Sequence, residues 1–421
     1  MPFDAYRRDL SLALRNVVRQ KRRSLFALAT ISGGVIALII SGGFIQWIFD
    51  NMRESTIHSH LGHVQVVRPD FFEKGIANPY AYLLPKNDPL QSQLEGMPGV
   101  ITVTPRLVFS GLISHDESSI GFSGEGVDPA RETDLSRNVH IVSGEPLSTT
   151  APNGIIVGEG LAANLGIKTG DTVVLLAATR QGGLNAVECQ VRGLFMTATK
   201  AYDDAFLRAP LPIAQQLARS AGATSWVVLL NRTENTDAFI AKAREAGRAD
   251  IQFVAWHELA DFYKKTVTLM SKQIDSVKLM IALIIVLSIS NTLTAAVIER
   301  TGEIGTIMAI GLRRRDVLRM FIIEGLVLGV IGGVLGVILG SLIASVVSYV
   351  GIPMPPPPGM AHGFTGHINV TPLISAEAFA LAVVTTLLAS ILPAWKASKM
   401  VIVDALRHNR LALAQPPQDD A

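Results

Sequence analysis

The sequence is poor in charge, in aromatic side chains and in cysteine. Only 17% of its 421 residues are Asp, Glu, Lys or Arg, whereas a soluble globular domain carries roughly 25%. The mean hydropathy of +0.36 points the same way, so an ordinary soluble enzyme is excluded. Cys189 is the only cysteine, which excludes an internal disulfide. We expect its thiol to be a small buried hydrophobic group.

Motifs for common chemistries are also missing. The sequence has no G-x-x-x-x-G-K-[ST] phosphate loop, no H-E-x-x-H and no G-x-S-x-G, so nucleotide hydrolysis, metalloprotease and hydrolase functions have no motif support. We therefore predict no catalytic residue, no metal site and no cofactor in this chain. His58, His60 and His63 form an H-x-H-x-x-H cluster, which we interpret as polar, structural or interfacial rather than metal-binding.

The sequence does contain long apolar segments. A helix needs about 20 apolar residues to cross a hydrocarbon layer of ~30 Å. Four transmembrane helices are predicted. The first is at 24–50, the third at 320–350 and the fourth at 372–395, and the segment at 267–298 contains a stalk and the second helix. Thr371 is the expected N-cap of the last helix, with Pro372 in its first position. The first segment is longer than the apolar region of a signal peptide, so we expect it to be retained.

Basic residues predict the orientation of these helices. Lys and Arg are frequent at 1–23, 299–319 and 396–421 and absent from the loop at 351–371. By the positive-inside rule, both termini are cytoplasmic. Residues 1–23 are expected to form an amphipathic helix on the cytoplasmic surface, residues 396–421 a cytoplasmic tail, and 351–371 an extracytoplasmic proline-rich loop. Ionisable residues that would mark an ion path are missing from the middle of the transmembrane segments. Glu324 comes nearest, but the uncharged stretch after it is long enough for Glu324 to remain at the cytoplasmic edge. A secondary transporter is therefore disfavoured.

The segment at 51–266 is long enough for one or two soluble domains. Short apolar runs separated by turns predict strands at 64–67, 100–104, 155–157, 173–176 and 226–230. The predicted fold is thus an integral membrane α-helical protein with four transmembrane helices and a large α+β extracytoplasmic domain inserted between helices one and two. A helical stalk is predicted from apolar residues at spacings of three and four, namely Val267, Met270, Ile274, Val277, Ile281 and Ile284.

Glycines repeat at four-residue intervals in the third transmembrane segment. Small residues at this spacing let membrane helices approach closely. The predicted packing residues are Gly325, Gly329 and Gly333 in one row and Gly332, Gly336 and Gly340 in a second row. Gly33, Ala37 and Ser41 form a shorter row in the first segment. These rows can serve packing within the chain or between two copies.

The most specific motif lies in the loop at 299–319. Its sequence E-R-T-G-E-I-G-T-I-M-A-I-G-L-R-R-R-D-V, followed by Glu324 and the glycine-rich segment, closely resembles the signature of the FtsX-like permease superfamily. These ABC-transporter membrane subunits include the macrolide exporter MacB and the lipoprotein-releasing permeases LolC and LolE, the branch that the chain resembles most. Segments 393–398 and 404–407 resemble the C-terminal end of the family.

The resemblance implies a multi-pass permease of the bacterial inner membrane. It would pair with a separate cytoplasmic ATPase dimer, which binds ATP and Mg²⁺, and with a second permease copy or paralogue. The chain itself would be neither an enzyme nor a cofactor-binding protein. Membrane lipids and a periplasmic carrier or adaptor are further expected partners, and nucleic acid is not.

In this family the stretch before the third transmembrane helix is a coupling helix that docks on the ATPase. The residues expected to couple, by position, are Glu299, Arg300, Glu303, Ile304, Gly305, Met308, Gly311, Arg314 and Arg315. A short amphipathic helix here would offer Ile304, Ile307 and Met308 as apolar contacts.

The resemblance leaves three functions open. The first is mechanotransmission by a permease that extracts or translocates lipoproteins or lipids, as in LolC and LolE. The second is efflux of peptides or antibiotics, as in MacB. The third is regulation of cell-wall hydrolases, as in FtsX, whose outside domain is typically much smaller than the segment at 51–266.

Overall fold

The computed structural model describes residues 15, 19, 21–75, 77–197, 199–246, 248–311, 313–355 and 363–400. Their contacts divide them into two compact units. The membrane unit comprises the described residues within Met1–Phe49, Thr268–Ile352 and Thr365–Ala421, and the inserted domain comprises those within Asp50–Val267 and Pro353–Phe364.

Helices provide most of the membrane unit and alternate with strands in the inserted domain. The helices are α1 Lys21–Thr56, α2 Pro89–Glu95, α3 Glu132–Leu135, α4 Glu159–Leu165, α5 Lys200–Asp203, α6 Leu211–Ala218, α7 Thr236–Ala246, α8 Trp256–Leu259, α9 Asp261–Glu299, α10 Thr301–Ala309, α11 Arg314–Val350 and α12 Pro372–Ser398. The strands are β1 Val64–Val67, β2 Val100–His115, β3 Ser118–Val127, β4 His140–Gly144, β5 Gly154–Gly158, β6 Thr172–Ala178, β7 Leu184–Met196, β8 Phe206–Pro210, β9 Ser225–Leu230, β10 Gln252–Ala255, β11 Ile352–Met354 and β12 Phe364–Gly366.

Four helices of the described chain, α1, α9, α11 and α12, are long and apolar enough to cross a membrane. The predicted cap of the last helix is confirmed, since the Thr371 hydroxyl accepts a hydrogen bond from the Ile374 backbone N–H at 3.3 Å. α12 continues through Pro393 to Ser398. The predicted amphipathic helix at 1–23 falls largely outside the described residues, as do 401–421 and 356–362.

The two glycine rows of α11 face different helices of the membrane unit. Gly325, Gly329 and Gly333 lie against Ser390, Thr386 and Phe379 of α12, whereas Gly332, Gly336 and Gly340 lie against Ile31, Val35 and Ile39 of α1. A Cβ atom added at Gly336 would be 2.6 Å from the Val35 Cβ, closer than van der Waals contact allows. The glycines therefore allow α11 to pack closely against both α1 and α12.

The row predicted in the first segment lies one residue away from the actual contact. A Cβ at Gly33 would meet no atom within 4 Å, whereas one at Gly34 would lie 2.9 Å from Ile285 Cδ1 of α9. The seam predicted along α9 also changes at its end. Ile284 is exposed, and the buried stripe continues instead through Ile285 and Ile289, because a straight helix drifts away from a strict seven-residue repeat.

The inserted domain is built on a ten-stranded mixed sheet in the order β10-β1-β9-β2-β3-β8-β5-β7-β4, with β6 paired to β2 and β7. All five predicted strand segments lie in strands. The long strand β2 serves two parts of the sheet, because residues 100–106 pair with β9 and residues 107–115 pair with β3. One hydrophobic core contains Trp226, and a second contains Phe109 together with Cys189. Burial raises the pKa of the Cys189 thiol to about 12, which agrees with its predicted role as a hydrophobic group.

A buried ionic network holds the π-helical turn Ile57–Leu61 that follows α1. The guanidinium of Arg106 donates to the His60 carbonyl and that of Arg208 donates to the Ser59 carbonyl. Both arginines approach Glu125, with nitrogen–oxygen distances of 3.3 and 3.4 Å. The chain leaving α1 is thereby fixed to β2 and β8 through charge-assisted hydrogen bonds.

Glu132 of α3 completes this network. Two nitrogens of Arg106 donate to its carboxylate at 3.1 and 3.0 Å, and the Ser136 hydroxyl donates to it at 2.6 Å. Burial opposes the charge of Glu125, but the adjacent guanidinium groups of Arg106 and Arg208 lower its pKa below the usual value. The Glu125 carboxylate is therefore held as an anion inside the domain.

The three histidines make separate structural contacts. The His63 Nδ1 accepts from the Leu230 backbone N–H at 3.1 Å, while its Nε2 lies 3.0 Å from the Thr233 hydroxyl. His60 stacks on Tyr202 with 5.3 Å between ring centroids, and the Nδ1 of His58 lies 3.1 Å from the Asp134 carbonyl. Over the described residues, no three His, Cys, Asp or Glu side chains are placed to hold one metal ion.

Candidate coupling site

The candidate site is the short helix α10 and the two turns that connect it to α9 and α11. Gly311 follows α10 with a φ of +111°, a backbone conformation that favours glycine because other residues clash there. The chain reverses at this point into α11. The carboxylate of Asp316 then accepts from the Arg313 backbone N–H at 3.2 Å, which satisfies one free donor at the beginning of α11.

One face of α10 is buried in the membrane unit itself. Ile304 and Met308 are only 3% and 8% exposed and pack with Phe321 of α11 and Ala394 of α12. Gly305 is buried between them. The expectation that Ile304 and Met308 offer apolar surface to another protein therefore needs correction, because these side chains fasten α10 to its own chain.

The opposite face of α10 is open. Ile307 is 39% exposed and Ile310, just beyond the helix, is 82% exposed. Ile310 was not among the residues selected from the sequence. The two residues are three apart, whereas Ile304 and Met308 are four apart and lie on a different side of the helix. Both spacings are typical of one side of a helix, so the sequence pattern does not tell the outward pair from the inward pair; the packing of α10 on α11 and α12 does.

The acidic residues of the site contact the beginning of α1. Arg23 donates to the Glu299 carboxylate, and Arg19 lies 3.5 Å from the Glu303 carboxylate. Arg19 and Glu303 are both well exposed, so this second pair adds little stability by itself. In the structure these two acidic residues connect the 299–311 segment to the N-terminal side of the first transmembrane helix.

Arg300 makes a third connection, to α11. Its Nη1 lies 3.6 Å from the Glu324 Oε2, and both side chains are almost fully buried. Loss of one partner of a buried pair leaves an uncompensated charge, which is strongly destabilising. The pair therefore fixes the turn between α9 and α10 against α11.

Arg314 and Arg315 are exposed in the first turn of α11. Positive charge at a helix N-terminus is unfavourable, because the helix dipole is positive there. Helix stability gives no reason for these two arginines, so they remain available to an anionic or polar partner. The site thus combines an exposed apolar pair, an exposed arginine pair and three ion pairs that tie it to α1 and α11.

Two family models cover the chain. Residues 24–246 match the MacB-like periplasmic core domain, which is more than half of the chain, and residues 276–402 match the C-terminal region of FtsX-like permeases. The chain is an FtsX-like ABC-transporter permease with a MacB-like periplasmic core domain. The resemblance seen in the loop at 299–319 is thereby confirmed at the level of the family.

Curated relatives match part of this permease. It is 39% identical over 142 residues to the macrolide export ATP-binding/permease protein MacB of Brucella abortus, which is 34% of this chain and 19% of the relative. It is 29% identical over 155 residues to the same-named protein of Syntrophobacter fumaroxidans, again 19% of the relative. The matched region therefore spans about a fifth of the length of these relatives.

Two solved structures are similar to about half of this chain. The periplasmic region of MacB from Actinobacillus actinomycetemcomitans has 14% identity and a TM-score of 0.36, covering 49% of this chain and 94% of that one. The extracellular domain of the noncanonic ABC-type transporter YknZ from Gram-positive bacteria has 13% identity and a TM-score of 0.34, covering 46% of this chain and all of that one.

Proposed function

We propose that the permease couples ATP hydrolysis by a cytoplasmic ABC ATPase to movement of its inserted domain. The observation that supports this is the two-sided construction of α10. Its outward face presents Ile307 and Ile310, and its inward face packs on α11 and α12. An ATPase that docks on the outward face and closes on ATP would push α10, and the packed helices would move with it.

The expected assembly is two permeases with an ATPase dimer in the bacterial inner membrane, both permease termini facing the cytoplasm. ATP and Mg²⁺ bind to the ATPase in this proposal. Glu299, Glu303 and Arg300 then act as connections that carry the motion of α10 into α1 and α11. Arg314, Arg315 and Gly311 contact the ATPase or position the segment that does so.

The test is the variant Ile310→Ser in the permease co-expressed with its partner ABC ATPase. We expect the ATPase to be lost from the purified complex or no longer stimulated, because the main apolar contact is removed. Ile298→Ser is the matched control, since Ile298 is also exposed but lies on α9. Normal stimulation of the ATPase by Ile310→Ser would remove the basis of the proposal.

For the substrate we propose a lipoprotein or lipid that is extracted from the outer face of the membrane, as in the LolC and LolE branch. The sequence between 24 and 49 and between 279 and 298 contains no charged residue, so these helices offer no polar path across the membrane. A client that is already held in or at the outer leaflet needs no such path. The inserted domain would receive it and pass it to a periplasmic carrier.

Efflux is the second candidate, and the curated relatives named for macrolide export favour it. The two functions differ in a release assay with spheroplasts. ATP-dependent release of a lipoprotein into the medium, dependent on a soluble carrier, supports lipoprotein extraction. Unchanged lipoprotein release combined with increased macrolide sensitivity in a strain without the permease supports efflux.

A further inference from the structure

A cavity of about 570 Å³ lies within the membrane unit, between α1, α9 and α12. This volume is within the range of small-molecule sites. Its apolar walls include Leu38, Ile45, Ile374 and Leu381. Leu373 at its edge is 69% exposed, so the cavity opens at the outer surface of α12, where a transmembrane helix meets lipid. The family signature in α10 lies at the other end of α9 and does not involve this cavity.

Three charged side chains of the cavity lie at one end. Asp275 and Lys278 are three residues apart on α9, and Glu377 is in the second turn of α12. The Lys278 Nζ donates to Glu377 at 2.9 Å. The charge-free run of α9 begins at the next residue, Leu279, so these charges are at the boundary between apolar and polar parts of the helices.

The apolar walls extend from this boundary toward the middle of the helices. Val384 also lines the cavity and is seven residues beyond Glu377 on α12, which is about 10 Å at 1.5 Å per residue. A ligand of this cavity therefore needs a charged group at one end and at least that length of apolar chain. A phospholipid has a charged headgroup and long apolar chains, and lipids surround the transmembrane helices.

We propose that the cavity binds one phospholipid of the zwitterionic class, phosphatidylethanolamine. Its phosphate would pair with Lys278 and its ammonium group with Asp275 and Glu377. The three side chains carry a formal net charge of −1, which repels an anionic headgroup and suits one that contains an ammonium group. The phospholipid is proposed as a resident ligand of this cavity, and its binding does not require ATPase coupling.

The first test blocks the cavity with a large side chain. The full-length permease, with any subunit that co-purifies, is isolated in mild detergent and its bound lipids are counted by native mass spectrometry. We expect about one phosphatidylethanolamine per chain, and we expect Ala380→Trp to remove it, because Ala380 lines the cavity. Ala376→Trp is the matched control, since Ala376 is exposed on the same helix and does not line the cavity.

The second test changes the charges without filling the space. Lys278→Gln removes the partner of the phosphate and should lower phosphatidylethanolamine retention about tenfold, the value of one charge-assisted hydrogen bond. Asp275→Asn removes the repulsion of anionic lipids and should shift the bound lipid toward phosphatidylglycerol. Ile310→Ser, the coupling variant, should leave retention unchanged, so a failure of this inference is separate from a failure of the proposed function.

Several results would overturn the inference. One is retention of phosphatidylethanolamine by Ala380→Trp at the level of the unmodified protein. Another is a bound lipid of the same headgroup composition as the whole membrane that Lys278→Gln does not alter. A lower dimer fraction in Ala380→Trp with unchanged lipid would mean that a second copy of the chain covers the cavity, and a lipidated protein in place of phospholipid would identify another occupant.

Discussion

The inserted domain and the membrane unit use charge in different ways. In the inserted domain, Arg106 and Arg208 are buried with Glu125 and Glu132 and form part of the interior. In the membrane unit, close helix contacts come from glycine and small apolar residues, and the Arg19–Glu303 pair lies at an exposed end of the helices. Buried ion pairs therefore form part of the interior of the inserted domain. In the membrane unit, ion pairs mainly link one helix to another.

The difference has a physical reason. A sheet of strands leaves a turn such as Ile57–Leu61 with free carbonyl groups, and the buried arginines satisfy two of them. Membrane helices satisfy their own backbone groups, so they need close packing more than hydrogen bonds. Substitutions of charge should thus cost far more stability in the domain than at the exposed end of the membrane unit.

The largest effect is expected for Arg106→Met. Removal of this guanidinium leaves Glu125 and Glu132 buried without their main partner, which should cost about 3–5 kcal/mol of unfolding free energy. Chemical denaturation of the purified permease, followed by proteolysis of the inserted domain, measures the loss. Lys74→Gln is the control, because Lys74 and Asp70 form an exposed pair. Equal stability of the two variants would contradict the structural role of the network.

The next effect is a loss of domain stability in acid through His63. Burial lowers the pKa of this imidazole from 6.5 to about 4, so the folded domain favours the neutral ring. Its Nδ1 accepts a hydrogen bond from Leu230, which protonation would break. The contribution of the neutral His63 ring to the unfolding free energy should be fully present above pH 6.5. It should fall by about 3 kcal/mol as the pH drops toward 4.

The variant His63→Asn should reduce the slope of this part of the pH profile, and part of the slope should remain because burial also lowers the pKa of His60 to about 4. Thermal unfolding at a series of pH values provides the measurement, and the slope rather than the absolute stability is compared. His140→Asn, at an exposed position of β4, should keep the full pH dependence. An unchanged slope in His63→Asn would assign the acid sensitivity to another group.

A smaller loss, about 2 kcal/mol, is expected for Gly336→Ala in the membrane unit. The added methyl group would overlap Val35 of α1, and α1 and α11 would have to separate. Thermal unfolding in detergent measures the change. Gly33→Ala is the matched control with free space around its Cβ, and it should be neutral or slightly stabilising because alanine favours a helix. The packing interpretation fails if both variants unfold at the same temperature.

The smallest effect on stability is expected for Glu303→Gln. Its pair with Arg19 is exposed, so the unfolding free energy should change by no more than about 0.5 kcal/mol. Transport should nevertheless lose its dependence on ATP hydrolysis if the pair carries motion into α1. Arg300→Gln provides the contrast, since it leaves the buried Glu324 carboxylate without its ion pair and should be clearly less stable. Normal ATP-driven transport by Glu303→Gln would count against the coupling role.

Much of the fold could be predicted because its signals are local. The long apolar segments, the Thr371 cap and the strand segments depend on residues close in sequence. The motif at 299–319 identified the family for the same reason. The sequence did not predict which side of α10 is free, since Ile304 and Ile307 are both isoleucines and only the position of α11 and α12 makes Ile304 buried.

By itself, the sequence determined the number of membrane-length helices, the large inserted domain and the location of the family motif at 299–319, because hydrophobic runs, charge and motifs are properties of the chain. The tertiary structure alone decided that Gly332 rather than Gly333 faces α1, that Arg106 reaches the His60 carbonyl, and that Ile310 is exposed. Each of these depends on contacts between residues far apart in sequence, 46 positions in the case of Arg106 and His60. Such contacts exist only once the helices and strands have packed.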